Sequence, residues 1–122
     1  MATTTVTISD PIGGKRYTDT AASNSAVNAV SGSSTIFHIE FDNTANSAVT
    51  YLKIYEATSV TLGTTEPSII VKAAASSKEY VSIPMGLALG TGISYVATTT
   101  ASNSAGSPAA PSTACGLTFV YN

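Results

Sequence analysis

Apolar and polar residues alternate one by one in several short runs of this 122-residue chain. In the clearest run, residues 35–42, the odd positions carry Phe37, Ile39 and Phe41 and the even positions carry His38, Glu40 and Asp42. Successive side chains of a β-strand point to opposite faces, so this alternation predicts a strand with one buried and one polar face. Residues that favour helices are scarce and β-branched residues abound, which argues against a helical fold.

Similar runs follow one another at intervals of about 8–12 residues, a spacing typical of β-sandwich domains. Clusters of Gly, Pro, Asn and Ser separate them, as expected of turns. The main predicted strands lie at 3–9, 49–56, 68–72, 79–84, 93–99 and 116–121. We therefore predict an all-β fold, an antiparallel β-sandwich of the immunoglobulin-like or jelly-roll-like kind, with its main domain at residues 34–122.

Residues 1–33 differ from the rest of the chain. Their strand patterns are weak, and their inward positions carry small residues. Unpaired strand edges bind strands from other chains. We predict that residues 1–33 form an extended N-terminal arm or edge strands that can pair with a neighbouring subunit.

The charge pattern limits the partners. Charged residues make up 10% of the chain, against about 25% in ordinary globular proteins, and the net charge is −2. Lys15 and Arg16 are the only adjacent basic residues, so the chain lacks the clustered cations that neutralise nucleic-acid phosphates. No apolar run approaches the ~20 residues of a membrane helix, and the first residues do not resemble a secretory signal. We expect neither nucleic acid nor a membrane as a partner, and we expect synthesis in a cytoplasm.

Few residues are available for catalysis. His38 is the only imidazole and Cys115 the only thiol, and we expect Cys115 to be buried beside an apolar strand. A hydrolytic site made of His38, Glu40 and a serine remains an alternative. With one Cys, one His and few carboxylates, we expect no metal and no cofactor, and we predict a non-enzymatic protein.

A polar and aromatic surface is predicted instead. At residues 49–56 the apolar positions share one side, and Tyr51, Lys53 and Tyr55 fall on the other, where tyrosine suits protein interfaces. Across a hairpin, Lys53 would face Glu40 or Asp42. Tyr17 and Tyr80 are also candidates to face outward, and the alternative for these tyrosines is cross-strand pairing within the sheet. The candidate interface residues are Val6, Ile8, Tyr17, His38, Tyr51, Lys53 and Tyr55.

Five stretches carry a resemblance to a known group of proteins. They read FDN at 41–43, YLKIY at 51–55, GTTEP at 63–67, VSIPMGL at 81–87 and GISYVATT at 92–99. Their order resembles small β-sandwich virion proteins of tailed bacteriophages, of the capsid decoration (cement) type, which also occur as tail or fibre modules. The resemblance covers about half of the chain and leaves residues 1–33 outside.

This resemblance implies a non-enzymatic virion protein, often a homotrimer, bound to the major capsid protein. The first functional hypothesis is thus a decoration protein that stabilises the head, made in the host cytoplasm and located on the capsid surface. The alternative is a tail, baseplate or fibre module involved in host attachment. The position of the protein on the particle separates the two hypotheses.

Overall fold

The computed structural model describes residues 2–7, 14–101 and 109–122, and within these ranges the chain forms nine strands and no helix. The turn before the fourth strand contains Gly32, whose φ of 99° lies in the left-handed region that suits glycine. The strands are β1 (Thr3–Thr7), β2 (Lys15–Ala22), β3 (Val27–Ser31), β4 (Ser34–Asp42), β5 (Thr50–Tyr55), β6 (Ile69–Ala73), β7 (Lys78–Leu89), β8 (Gly92–Thr98) and β9 (Cys115–Tyr121).

The strands form two antiparallel sheets that pack against each other. Sheet A has the order β1-β2-β9-β4-β7, and sheet B has the order β3-β8-β5-β6. The chain crosses between the sheets at every connection from β2 onward except the one between β5 and β6. The prediction of an all-β antiparallel sandwich is confirmed.

The core lies between the two sheets and takes alternate residues of most strands. Each fully buried side chain of Leu, Ile or Phe size stabilises the fold by about 1.5–3 kcal/mol. The inward side chains are Tyr17 and Ala22 of β2, Ile36, Ile39 and Phe41 of β4, Leu52 and Ile54 of β5, Val71 and Ala73 of β6, Leu89 of β7, Ile93, Tyr95 and Ala97 of β8, and Cys115, Leu117, Phe119 and Tyr121 of β9.

A buried carboxylate joins the sheets within this core. The hydroxyl of Tyr95 in sheet B donates to Asp19 Oδ2 in sheet A at 2.5 Å, and the backbone N–H of Ala21 donates to Asp19 Oδ1 at 2.8 Å. The hydroxyls of Tyr17 and Tyr95 lie 2.9 Å apart. A buried charge is tolerated only when it is hydrogen-bonded, and these donors meet that need for Asp19.

An irregularity in β4 changes which residues reach the core. Ile39 and Phe41 point inward as predicted, but Ile36 takes the place expected for Phe37. The register on β9 advances by one residue where β4 advances by two, from Ile36 opposite Tyr121 to His38 opposite Val120. Such a bulge breaks the strict alternation, so the predicted side of Phe37 is wrong.

The described part of residues 1–33 contributes three strands. β1 ends sheet A and β3 ends sheet B, whereas β2 lies inside sheet A between β1 and β9. Tyr17, Asp19 and Ala22 are buried, so β2 belongs to the sandwich of its own chain. Pairing of this segment with a neighbouring subunit stays a prediction.

Two asparagines tie together one end of the sandwich. Asn43 Nδ2 donates to the carbonyl oxygen of Ala74 at 3.1 Å, and Asn46 Nδ2 donates to Asn43 Oδ1 at 2.9 Å. The backbone N–H of Thr113 donates to Asn46 Oδ1 at 2.8 Å. Cys115 is buried beside them, as predicted, and burial raises the pKa of its thiol to about 11. The connections between β4 and β5, between β6 and β7, and before β9 are thereby joined.

Candidate protein-binding surface

Face A is the outer surface of sheet A. Its side chains form rows that run across the strands and follow the strand register. Residues opposite each other in antiparallel strands project to the same side, so the first two rows cross the whole sheet from β1 to β7. The first row is Val6, Arg16, Val120, His38 and Ser82; the second is Thr4, Thr18, Thr118, Glu40 and Tyr80; the third is Gly116, Asp42 and Lys78.

The charges of face A are balanced. Lys78 Nζ lies 3.4 Å from Glu40 Oε1 and 3.6 Å from Asp42 Oδ2. The hydrogen bond from the Thr44 hydroxyl, helped by Lys78, lowers the pKa of Asp42, and the bond to Glu40 raises the pKa of Lys78. The predicted partner of these carboxylates, Lys53, is wrong because β4 and β5 belong to different sheets and do not form a hairpin.

His38 lies near the middle of the first row and is half-buried. Its Nδ1 is 3.5 Å from Ser82 Oγ, and its ring is 6.4 Å from that of Tyr80 at an interplanar angle of 29°. An activated serine needs a closer contact with its base, and a site that excludes water. No cavity surrounds this pair in the described part of the chain.

The side chains that could ligate a metal ion are spread over the described part of the structure. Within residues 2–7, 14–101 and 109–122, no three His, Cys, Asp or Glu side chains lie close enough together to hold a metal ion.

Large apolar groups are exposed on face A and beside it. Tyr80 is 57% exposed and Val6 is 41% exposed. Met85 is 93% exposed and lies where β7 bulges away from β4, between the pairs Ser82–His38 and Leu87–Ile36. Gly86 makes this bulge possible, with a φ of 80° and no side chain to meet the Phe37 ring.

The central strands of face B, the outer surface of sheet B, are covered by the same chain, whereas Ile70 on the edge strand β6 is 43% exposed. It carries Tyr51, Lys53 and Tyr55 from β5 and Ser94, Val96 and Thr98 from β8, yet most of these side chains are buried. Lys53 is 2% exposed and Tyr55 is 1% exposed. Burial lowers the pKa of Lys53, and burial together with the charge of Glu66 raises the pKa of Tyr55.

The connection between β5 and β6, residues 56–68, lies along face B. The Ser94 hydroxyl donates to the carbonyl oxygen of Ala57 at 2.6 Å. The backbone N–H of Ser68 donates to the carbonyl oxygen of Ile54 at 2.7 Å. These bonds hold both ends of the connection against β5 and β8.

The structure separates the candidate interface residues into two groups. Val6 and His38 lie on face A, and Tyr51 is half-buried on face B. The outward orientation expected for Tyr17 is wrong, since Tyr17 is in the core; Lys53 and Tyr55 project away from the core as predicted, but they are covered and cannot serve as exposed interface residues. Ile8 lies outside the described residues.

Arg16 and Val120 also belong to face A, but they are not among the candidate interface residues predicted from the sequence. The alternation of residues 116–121, with Leu117, Phe119 and Tyr121 on one side, carries the signal that places Val120 outward. Tyr80, expected to face outward, does so.

Comparison with protein-family models, with curated proteins and with solved structures finds no match to this chain. Within its described parts, the chain has no helix of the length and apolar character that crossing a membrane would require.

Proposed function

We propose that this chain is a non-enzymatic virion structural protein that binds the major capsid protein through face A and stabilises the head as a decoration protein. The observation that carries the proposal is the contrast between the two outer surfaces. The central strands β5 and β8 of face B are buried under their own chain, whereas face A is exposed or half-buried along both rows that cross it, with Val6 and Tyr80 exposed at opposite edges. The resemblance of residues 41–99 to phage decoration proteins supplies the class of partner.

The chemistry of face A suits a protein partner. Tyrosine buries a large area at a small loss of conformational entropy and keeps a polar tip, and Tyr80 stands at the β7 end of the second row. Glu40 and Asp42 are already paired with Lys78, so covering them leaves no isolated carboxylate. Threonine hydroxyls of the second row donate and accept, which lets the partner's backbone bind there.

Attachment to an assembled shell gives the mechanism of stabilisation. A protein that binds the assembled shell and not its free subunits shifts the equilibrium toward the shell by mass action. Face A is built on five paired strands, so it is formed before binding, and little ordering entropy is lost.

Labelling on the purified particle tests the location. An antibody against this chain, detected by electron microscopy, should mark the head, and particles lacking the chain should release their genome at a lower temperature. Labelling of the tail would favour the alternative function, and absence from the particle would contradict both.

A pair of matched variants tests the surface. Tyr80→Asp places a charge on face A, and Ile70→Asp places one on the opposite sheet at a residue of similar exposure. We expect Tyr80→Asp to reduce binding to chain-free particles at least about tenfold, as for an aromatic interface residue that carries much of the binding energy, and Ile70→Asp to leave binding unchanged. Equal binding by both variants would show that face A is not the contact.

The tail or fibre alternative rests on the exposed ring of Tyr80. An aromatic ring beside Glu40 and Ser82 can stack on a sugar while the polar groups bind its hydroxyls. Titration with host-surface oligosaccharides, followed by the resonances of Tyr80, would detect this binding.

A further inference from the structure

The edge of β1 is a second feature that the function proposed above does not use. β1 is the terminal strand of sheet A in the described part of the chain, and all five of its side chains are exposed. A terminal strand presents unpaired N–H and C=O groups that attract another strand.

The register shows which groups of β1 point outward. Thr3 lies opposite Asp19, and the backbone N–H of Thr20 donates to the carbonyl oxygen of Ala2 at 3.0 Å, so Ala2 forms a hydrogen-bonded pair with β2. Such pairs alternate along an antiparallel ladder, which assigns the groups of Thr4 and Val6 to β2. The N–H and C=O groups of Thr3, Thr5 and Thr7 therefore face the open edge.

The other edges are protected. β7 carries Lys78, Glu79, Pro84 and the bulge before Leu87, and β6 carries Lys72. In β3 the register shifts between Asn28 and Val30, and Asn28 Nδ2 donates to the Val30 carbonyl oxygen at 3.0 Å. Charges, prolines and bulges are the features that keep edges from pairing, and β1, TTTVT, has none of them.

We propose that β1 pairs antiparallel with β1 of a second copy of this chain, with Thr5 on the two-fold axis. In this register Thr5 faces Thr5 of the second copy. Thr3 of each copy faces Thr7 of the other. All the outward groups then meet in hydrogen-bonded pairs, giving about six N–H···O bonds.

The side chains agree with this register. Thr4 faces Val6 of the second copy on the side of face A, and threonines face one another on the other side. β-branched residues form favourable cross-strand pairs, and no like charges oppose each other. Two sheets A then become one sheet of ten strands, with the two copies of face A side by side.

Face A of one copy is smaller than a standard protein–protein interface, and pairing through β1 doubles its area. Five strands about 4.8 Å apart, with three rows about 7 Å apart, make a projected area of roughly 500 Å². A standard interface buries about 800 Å² on each partner. Two joined copies present an area of that order, whereas one copy does not.

The test measures self-association of the purified full chain by sedimentation equilibrium. We expect a monomer–dimer equilibrium between about 10 μM and 1 mM, because so short a contact is weak. Thr5→Pro removes the outward N–H of Thr5 and leaves the bonds to β2 intact, so it should weaken association at least about tenfold. Thr5→Val, the matched control with the same backbone, should change it less than about threefold.

A charge exchange tests the two-fold position. Thr5→Lys and Thr5→Glu should each abolish self-association, and an equimolar mixture of the two variants should restore a heterodimer. Thermal unfolding of each variant verifies that it remains folded. A wild-type chain that stays monomeric, a trimer insensitive to Thr5→Pro, or no recovery in the mixture would overturn the proposal. Because no particle is needed, failure here is separate from failure of capsid binding.

Discussion

The two outer faces of the sandwich differ at their inner strands: the chain covers the middle of face B and leaves the middle of face A partly open. Each has a valine on an inner strand of its sheet: Val96 on face B, which is fully buried, and Val120 on face A, which is half-buried. Both valines occupy the same kind of position in an alternating strand. On face B, the connection between β5 and β6 reaches the same strand as Val96, where the Ser94 hydroxyl donates to the carbonyl oxygen of Ala57. Alternation thus assigns a residue to a side of its sheet, and the connections decide whether that side meets water.

The largest expected effect comes from charging the two valines. Val96→Asp puts a carboxylate into a buried apolar site and should reduce the free energy of unfolding by about 3 kcal/mol or more. Val120→Asp should change it by about 1 kcal/mol at most, because that side chain reaches solvent. Urea denaturation followed by circular dichroism measures both. Similar losses of stability for the two variants would mean that Val96 and Val120 do not differ in burial.

Removing a tyrosine hydroxyl from the core or from face A should give a change in stability of intermediate size. Tyr95→Phe removes the donor to Asp19 Oδ2 and should destabilise the protein by about 1–3 kcal/mol, since a buried carboxylate oxygen loses its partner. Tyr80→Phe on face A should leave stability within about 0.5 kcal/mol of the wild type. The same denaturation experiment applies, and an unaffected Tyr95→Phe variant would show that this bond does not support the core.

The smallest effect is expected in the alkaline pH dependence of stability. Burial raises the pKa values of Tyr17, Tyr55, Tyr95 and Tyr121. Above about pH 10 the unfolded chain therefore loses phenolic protons that the native state keeps, and stability falls as pH rises.

Burial lowers the pKa of Lys53, which has the opposite sign and raises stability as pH approaches about 10.4. Denaturation between about pH 8 and pH 12 measures the sum of these effects. Tyr55→Phe should reduce the alkaline loss because it removes the contribution of face B, and Tyr80→Phe is the exposed control. Stability that stays constant above pH 10 would contradict the burial of these phenols.

Much of the fold could be predicted from alternation alone. The inward positions of Ile39, Phe41, Leu52 and Ile54 are confirmed, since each belongs to a regular run. Phe37 was placed wrongly because a bulge depends on how strands pair, and one sequence does not show that pairing.

The candidate surface was harder to predict. The side chains of Tyr51, Lys53 and Tyr55 do lie opposite the core, but Lys53 and Tyr55 are covered by residues distant in the sequence or by adjoining strands. Tyr17 has small and polar neighbours in sequence, and its burial depends on Phe119 and Tyr95, which are about eighty or more positions away. The outward position of His38 could be predicted because the alternation of its own strand suffices.

The unequal protection of the two ends of sheet A limits how far copies could assemble. A sheet open at both ends can add molecules without limit and grow into a fibre. Here Pro84 and the bulge near Gly86 block addition at β7, so joining at β1 uses up the open end of each molecule. Growth by edge pairing would therefore stop at two chains, and a concentrated stock should stay clear of filaments.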